Sequence, residues 1–186
     1  MTIISVLKSK IRKKILNIRK KQNNQNIQFS FSKIFKVIKK NNIKRKIIGG
    51  YYPVNFEINI LNILQQLELK GNQICLPVIK KNNEMDFYLW SFQDLLKLNK
   101  FGIPEPEKIK KVIPDIIFVP LVAFDKRLYR IGYGGGYYDR YIGKFLNKKN
   151  FLKVGIAHSC QKVNKAPINK FDKKLDIIIT EKYILK

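Results

Sequence analysis

Residues 130–141 read RIGYGGGYYDRY, and glycines stand at 132, 134, 135 and 136 among tyrosines, arginines and an aspartate. A flexible linker does not carry this much aromatic and charged chemistry. Without Cβ atoms, successive backbone N–H groups can converge on an anion. A helix starting just beyond them adds the positive end of its dipole. Arg130 brings a planar fork of donors suited to phosphate. The chemistry implied is phosphate binding. The stretch is not a Walker loop, because GxxxxGK[ST] occurs nowhere in the chain. It is not the dinucleotide fingerprint either, since Tyr137 stands where GxGxxG needs its third glycine. The alternative is a tight strand-to-helix turn.

Other reactive side chains are few. Cys75 and Cys160 lie far apart, with no CxxC and no histidine at metal spacing. They read as reduced thiols of a cytosolic protein. His158, the single histidine, is two residues from Cys160. Along a strand that spacing puts both on one face. Nothing completes a nucleophilic triad, so a packing or substrate-edge role is expected for His158.

The elements that must position the glycine stretch follow from periodicity. Ile3, Ile4, Leu7, Ile11, Ile15 and Ile18 predict a first helix over 3–19. Phe31, Ile34, Phe35 and Ile38 predict a second. KIIGGYY reads as a buried strand ending at Pro53. Ile60, Leu61, Leu64 and Leu67 mark a third helix, stopped by Gly71. QICLPVI and MDFYLW read as strands, and FGIPEPE as a proline-bearing loop. DIIFVPLVAF is strand-like and leads into the glycine stretch. Asp139 to Leu146 reads as helix, and KVGIAHS and LDIIIT as closing strands. KKQNNQN, at 20–26, is a polar loop. This alternation predicts an α/β fold, a layered, largely parallel sheet flanked by helices in the Rossmann-like manner. Ligands of such sheets gather beyond the carboxyl ends of the strands.

At 186 residues and 45% hydrophobic content, the chain reads as a single domain over 1–186. Apolar runs such as 116–123 are too short to cross a bilayer. MTIISVLKSKIRKK has its apolar residues before its basic ones, the wrong order for a signal peptide, so a cytoplasmic location is expected. The net charge is +25, which raises an alternative reading as a basic nucleic-acid-binding α/β protein. The lysines are spread over the whole chain, however, and no nucleic-acid motif accompanies them. Lysine, isoleucine and asparagine crowd every segment, as in an AT-rich coding sequence.

VPLVAFDKRLYRIGYGGGYYDRY, residues 119–141, resembles the signature of the 5-formyltetrahydrofolate cyclo-ligases, also called 5,10-methenyltetrahydrofolate synthetases. The resemblance extends to Lys8-x-x-x-Arg12, YYPVNFEI around Glu57, the FGIPEP loop and the late LDIIIT. It implies an ATP- and Mg²⁺-dependent ligase. ATP phosphorylates the formyl oxygen at N5 of the folate, N10 attacks the activated carbon, and phosphate leaves as the ring closes.

The resemblance also implies roles for particular residues. Lys8, Ser9, Lys10, Ile11 and Arg12 would contact ATP, and Lys8 and Arg12, four apart, share a helix face with Arg19. Arg130, Ile131, Gly132, Tyr133, Gly134, Gly135, Gly136, Tyr137 and Tyr138 would form the nucleotide loop. Arg130 and Tyr138 would be catalytic. Tyr52, Glu57 and Tyr138 would contact the folate, with Trp90 and FGIPEP as further walls. Asp139 and Asp176 would hold Mg²⁺. Asp139 alternatively reads as a first-turn helix acid, Asp176 as the end of a turn, and Tyr52 as core packing. Some relatives have lysine at the position of Gly135 and arginine at that of Tyr133. Lys126 and Arg127 are candidates to compensate. The expected partner is a small-molecule folate, polyglutamylated or not, acting on a monomer without membrane or nucleic-acid partners.

Overall fold

The structure, a computed structural model, describes residues 2–22, 31–40, 46–145 and 149–186. Its centre is an eight-stranded sheet in the order β12-β11-β10-β7-β1-β2-β3-β6. The strands are β1 (Ile47–Gly49), β2 (Gln73–Ile79), β3 (Met85–Leu89), β6 (Lys111–Val112), β7 (Ile116–Pro120), β10 (Leu152–Ile156), β11 (Ile177–Ile179) and β12 (Ile184–Leu185). β11, β10, β7, β1 and β2 run parallel. β3, β6 and β12 extend the sheet antiparallel at its two edges.

Alternation along the parallel strands divides the core into two layers. Ile116, Phe118, Ile177 and Ile179 face the helices α2 (Phe31–Lys40) and α3 (Leu61–Leu69), meeting Ile34, Ile63 and Leu64. Ile117, Val119 and Ile178 face α4 (Tyr137–Phe145), meeting Tyr141, Ile142 and Phe145. Burial on both faces explains why these strands read as unbroken apolar runs. The expected α/β fold, with a mostly parallel sheet flanked by helices, is the fold observed.

α1 (Ile3–Gln22) packs Ile15 against Val122, Ala123 and Ile131, beyond the end of β7. Its apolar residues located the helix, but not its buried face. Ile3 and Leu7 are exposed, whereas Lys8 and Arg19 are buried. Steps of three and four residues place Lys8, Arg12, Ile15 and Arg19 on one stripe. Arg19, Lys20 and Lys21 in its last turn complement the helix dipole.

Several segments depart from the sequence expectation. DIIFVPLVAF is two strands. β7 ends at Pro120, which has no N–H for a further ladder bond, and β8 (Ala123–Phe124) pairs with β9 (Arg130–Ile131) in a separate hairpin. FGIPEPE is not only loop, because β5 (Pro104–Pro106) pairs with β4 (Leu96–Leu98). Proline is tolerated in such a marginal two-stranded sheet, where few ladder donors are needed. His158 and Cys160 do not share a strand face, because Ser159–Gln161 forms a 3₁₀ turn just after β10. The polar segment 20–26 begins inside α1, and its residues 23–26, like Leu146 at the expected end of α4, lie outside the described residues. No helix among the described residues is long and apolar enough to cross a membrane.

Candidate functional site

The parallel strands end along one edge of the sheet. From that edge β1 leads to Tyr51 and Glu57, β7 leads to the β8–β9 hairpin, and β10 leads to His158. The glycine stretch follows β9 and ends at the start of α4. α1 lies across it. Between them is a cleft of about 690 Å³ lined by Lys8, Arg12, Arg130, Gly132, Gly134, Gly136, Asp139 and Asp172, among others. This size is in the range of small-molecule sites.

Alternate residues 130, 132, 134 and 136 line the cleft. Gly134 and Gly136 have φ of +115° and +68°, which side-chain-bearing residues resist. A Cβ at Gly134 would sit 3.6 Å from the Arg12 guanidinium carbon. Arg12 Nε donates to the Gly132 carbonyl at 2.7 Å, so α1 and the loop share one surface. Burial lowers the pKa of Arg12, and Asp172 opposes the shift. An anion entering the cleft would relieve the same desolvation. Arg140 clamps the far side of the loop, donating to the carbonyls of Gly135 and, at 2.8 Å from Nε, Asn83.

Lys8 is paired with Asp172 at 2.6 Å. Arg130, only 3% exposed at its side chain, donates to Asp139 Oδ1 and to the Lys173 carbonyl, both at 2.8 Å. The Lys173 amide donates to the same Asp139 oxygen at 2.9 Å. Both bonds therefore fall on Oδ1. Among the described residues no group of three or more His, Cys, Asp or Glu could hold a metal. A phosphate-bound magnesium asks for less: one or two carboxylates, with phosphate and water oxygens completing the shell. Asp139 fits that requirement.

Asp176 does not line that cleft. It lines a different cavity, with Lys153, Lys174 and Lys186. It precedes β11, where its Oδ2 accepts from the Lys153 amide at 2.8 Å and pairs with Lys153 Nζ at 2.9 Å. Asp115 ties the start of β1 in the same way, accepting from the Ile47 amide. Both are acids that link neighbouring strands where the strands begin. Ser9 and Lys10 are exposed and Ile11 packs in the core beside Ile15, so none of them lines the cleft. Ile131 is core, and Tyr137 packs partly into the core with its hydroxyl on Asn83. Arg127 is committed to Asp125 at 2.6 Å and to the Ala166 carbonyl, leaving it no compensating role in the cleft.

The second part of the site is built around Glu57. Its Oε2 accepts from the Val54 amide at 2.9 Å, closing a turn whose Asn55 and Phe56 have φ of +47° and +61°. Its Oε1 and the Tyr138 hydroxyl are both buried without a well-formed hydrogen bond. Burial pushes the Glu57 carboxyl up to about 7, against the Val54 amide, the Tyr133 hydroxyl and the Arg19 charge. Burial, with Glu57 nearby, raises Tyr138 as well. Two orphaned oxygens beside one another's fields are what a ligand with ring N–H groups would satisfy. Tyr52 is half-buried between β1 and Glu57. Trp90 belongs to the core, its ring tilted against that of Phe92 with centroids 4.5 Å apart, rather than to a ligand wall.

The folded value of Glu57 lies above its ordinary 4.5, so the folded chain keeps a proton that the unfolded chain has lost. The stability this contributes is fully present below about pH 4.5 and is lost as pH rises through about 7. Glu57→Gln, a neutral mimic, should therefore gain thermal stability over wild type as pH rises through that window. A constant difference in unfolding temperature between pH 4.5 and 8 would contradict the raised carboxyl.

Sequence reasoning missed Asp172. It lies among lysines in NKFDKK, and an acid retained there was a usable signal in a chain so poor in acids. It also left Arg19 without a role, although Arg19 lies on the same stripe as Lys8 and Arg12.

Comparison with known proteins bears on the family and the fold. The model of the 5-formyltetrahydrofolate cyclo-ligase family matches residues 4–181. A 5-formyltetrahydrofolate cyclo-ligase of Haemophilus influenzae is 33% identical over 181 residues, covering 93% of this chain and 95% of that protein. One of Escherichia coli K12 is 33% identical over 140 residues, 72% of this chain and 76% of that protein. The solved structure of Aquifex aeolicus 5,10-methenyltetrahydrofolate synthetase superposes with a TM-score of 0.70 at 32% identity, covering 97% of this chain and 92% of that one. A Mycoplasma pneumoniae 5,10-methenyltetrahydrofolate synthetase shares the fold, with a TM-score of 0.73 at 24% identity over 94% of this chain and 98% of that one.

Proposed function

We propose, from the premise that this chain belongs to the 5-formyltetrahydrofolate cyclo-ligase family, that it converts 5-formyltetrahydrofolate to 5,10-methenyltetrahydrofolate with ATP as co-substrate. The observation that carries the reading is the junction at Tyr138. The segment that would cradle phosphates on its Gly132–Gly134–Gly136 side runs directly into Tyr138, whose buried hydroxyl, like Glu57 Oε1, has no hydrogen-bond partner. Phosphate and folate would thus lie on either side of one short loop.

A formyl amide is a poor electrophile until its oxygen is phosphorylated. In this reading the formyl oxygen takes the terminal phosphoryl group and ADP leaves. N10 then attacks the formyl carbon and loses its proton, and inorganic phosphate departs with the oxygen. Arg12, Arg130 and the loop amides would hold the phosphates and offset their charge. Lys8 would exchange part of its pairing with Asp172 for the same task. Glu57 would accept hydrogen bonds from pterin N–H groups, Tyr138 would direct its hydroxyl to the substrate, and Tyr52 would offer a ring to stack. Asp139 would hold a magnesium ion, which when bound would supply charge neutralisation at the transferring group. A cytoplasmic monomer, taking folate with or without a polyglutamate tail, completes the reading.

The test is direct. Mixing the protein with 5-formyltetrahydrofolate and Mg-ATP should raise absorbance in the methenyl product's band, with one phosphate released per product. No product, or product formed equally well without ATP, would overturn it. Binding to RNA with no turnover would favour the nucleic-acid alternative.

A further inference from the structure

The cleft continues past the glycine stretch. Ile4, Lys8 and Arg12 are successive four-residue steps along α1, and all three line it. Arg12 stands at the glycine end, against Gly132 and Gly134. Lys8 comes one helical turn earlier, on Asp172. The turn that brings Asp172 to Lys8, closed by the Asn169 amide on Asp172 Oδ2 at 2.6 Å, also puts Phe171 into the lining. Phe171 thus belongs to the Lys8 end of the cleft rather than to the Arg12 end. Its ring is 66% exposed, with only the Lys170 ammonium over it at 5.2 Å. A large aromatic ring left this open beside an anion cleft has much apolar area still to bury.

The geometry points to the Ile4–Phe171 end of the cleft as the seat of the co-substrate's nucleoside, with the base held by its flat face against Phe171. This rests on the function proposed above. The reacting phosphoryl group must meet the folate, and Tyr138 of the folate part follows the glycine stretch directly. The terminal phosphate therefore lies at Arg12 and Gly134, and the rest of the nucleotide runs back along α1 past Lys8. From Arg12 to Ile4 is about 12 Å of helix axis, the scale of an extended nucleoside triphosphate. Polar side chains at this end are turned to their own backbone. Thr2 Oγ1 accepts from the Ser5 amide at 3.3 Å, Ser5 Oγ donates to the Thr2 carbonyl at 2.7 Å, and Asn169 Oδ1 accepts from the Phe171 amide at 2.9 Å. What this end offers a base is a ring to stack on rather than a fitted set of edge donors. Stacking tolerates any base, because every base has a π-face.

Phe171→Ala removes the ring from an exposed position, so the fold is spared. Calorimetry without folate, in the presence of Mg²⁺, compares three probes: ATP, GTP and inorganic tripolyphosphate, which has no nucleoside. Phe171→Ala should weaken ATP binding by about tenfold or more, the size expected for losing one base-stacking ring, and leave tripolyphosphate unchanged. Phe171→Trp should keep ATP affinity at or above wild type. In wild type, GTP should bind within about tenfold of ATP, since stacking reads no base edge. Unchanged ATP affinity in Phe171→Ala would overturn the placement. Equal loss of ATP and tripolyphosphate would overturn it too, by making Phe171 a support for the turn that holds Asp172 on Lys8. Rejection of GTP by 100-fold or more, written as about two decades, would overturn the face-on hold. If wild type binds neither ATP nor tripolyphosphate, the proposed function fails and the placement with it, whereas ATP binding that ignores Phe171 overturns the placement alone.

Discussion

Gly134→Val should raise KM for ATP by about 100-fold while the sheet stays folded. Gly134 has φ of +115°, and a β-branched residue held there costs on the order of 1–3 kcal/mol. Its methyl groups would also occupy the space beside the Arg12 guanidinium that the phosphates need. Each 1.4 kcal/mol is a factor of ten in affinity, so strain and lost volume together reach about two decades. Gly134→Ala separates the two contributions, since alanine meets the backbone penalty with little bulk. The loop lies outside both main core layers, so far-UV circular dichroism should be unchanged. Wild-type KM for ATP in Gly134→Val would show that phosphates bind elsewhere.

Asp139→Asn should lower kcat by about 100-fold or more, the size typical of losing one preorganised electrostatic group. The amide can still accept from the Lys173 N–H and from Arg130, so the local fold has a route to persist. What disappears is the negative charge, on which Arg130 and a phosphate-bound magnesium would both depend. Loss of that counter-charge beside buried Arg130 should also cost on the order of 1–3 kcal/mol in stability. Folate affinity should change little, because Glu57 and Tyr138 form the other part of the site, and raised Mg²⁺ should partly restore turnover. Near-normal kcat at limiting Mg²⁺ would reduce Asp139 to the partner of Arg130. The parallel change Asp176→Asn should spare kcat, given its bonds to Lys153 at the start of β11, and instead loosen the pairing of β10 with β11.

The sheet and its helices were legible because their signals are local. QICLPVI is β2 residue for residue, and LDIIIT holds β11, since the stretch of a strand that is buried on both faces must be apolar throughout. Glycines at 132, 134 and 136 announced a special backbone, and two of them have positive φ. The family resemblance rested on the same compact stretch. These features need no knowledge of what lies across the fold.

Only the tertiary structure decided which polar residues meet. Periodicity found α1, but ranking its residues by hydropathy put the wrong ones inside. Lys8 and Arg19 are buried because Asp172, the Leu121 carbonyl and Tyr133, all more than 100 residues away in sequence, supply their partners. Ile3 and Leu7 on the same helix stay exposed because nothing covers them. Asp139 and Asp176 carry the same chemistry on paper. One faces the cleft beside Arg130, and the other ties two strands where they begin. A hydrophobic side chain is buried by a free energy it carries with it, so its fate can be read from its own segment. A charged one is buried only where a distant segment returns its lost hydration, and that partner is fixed by the fold.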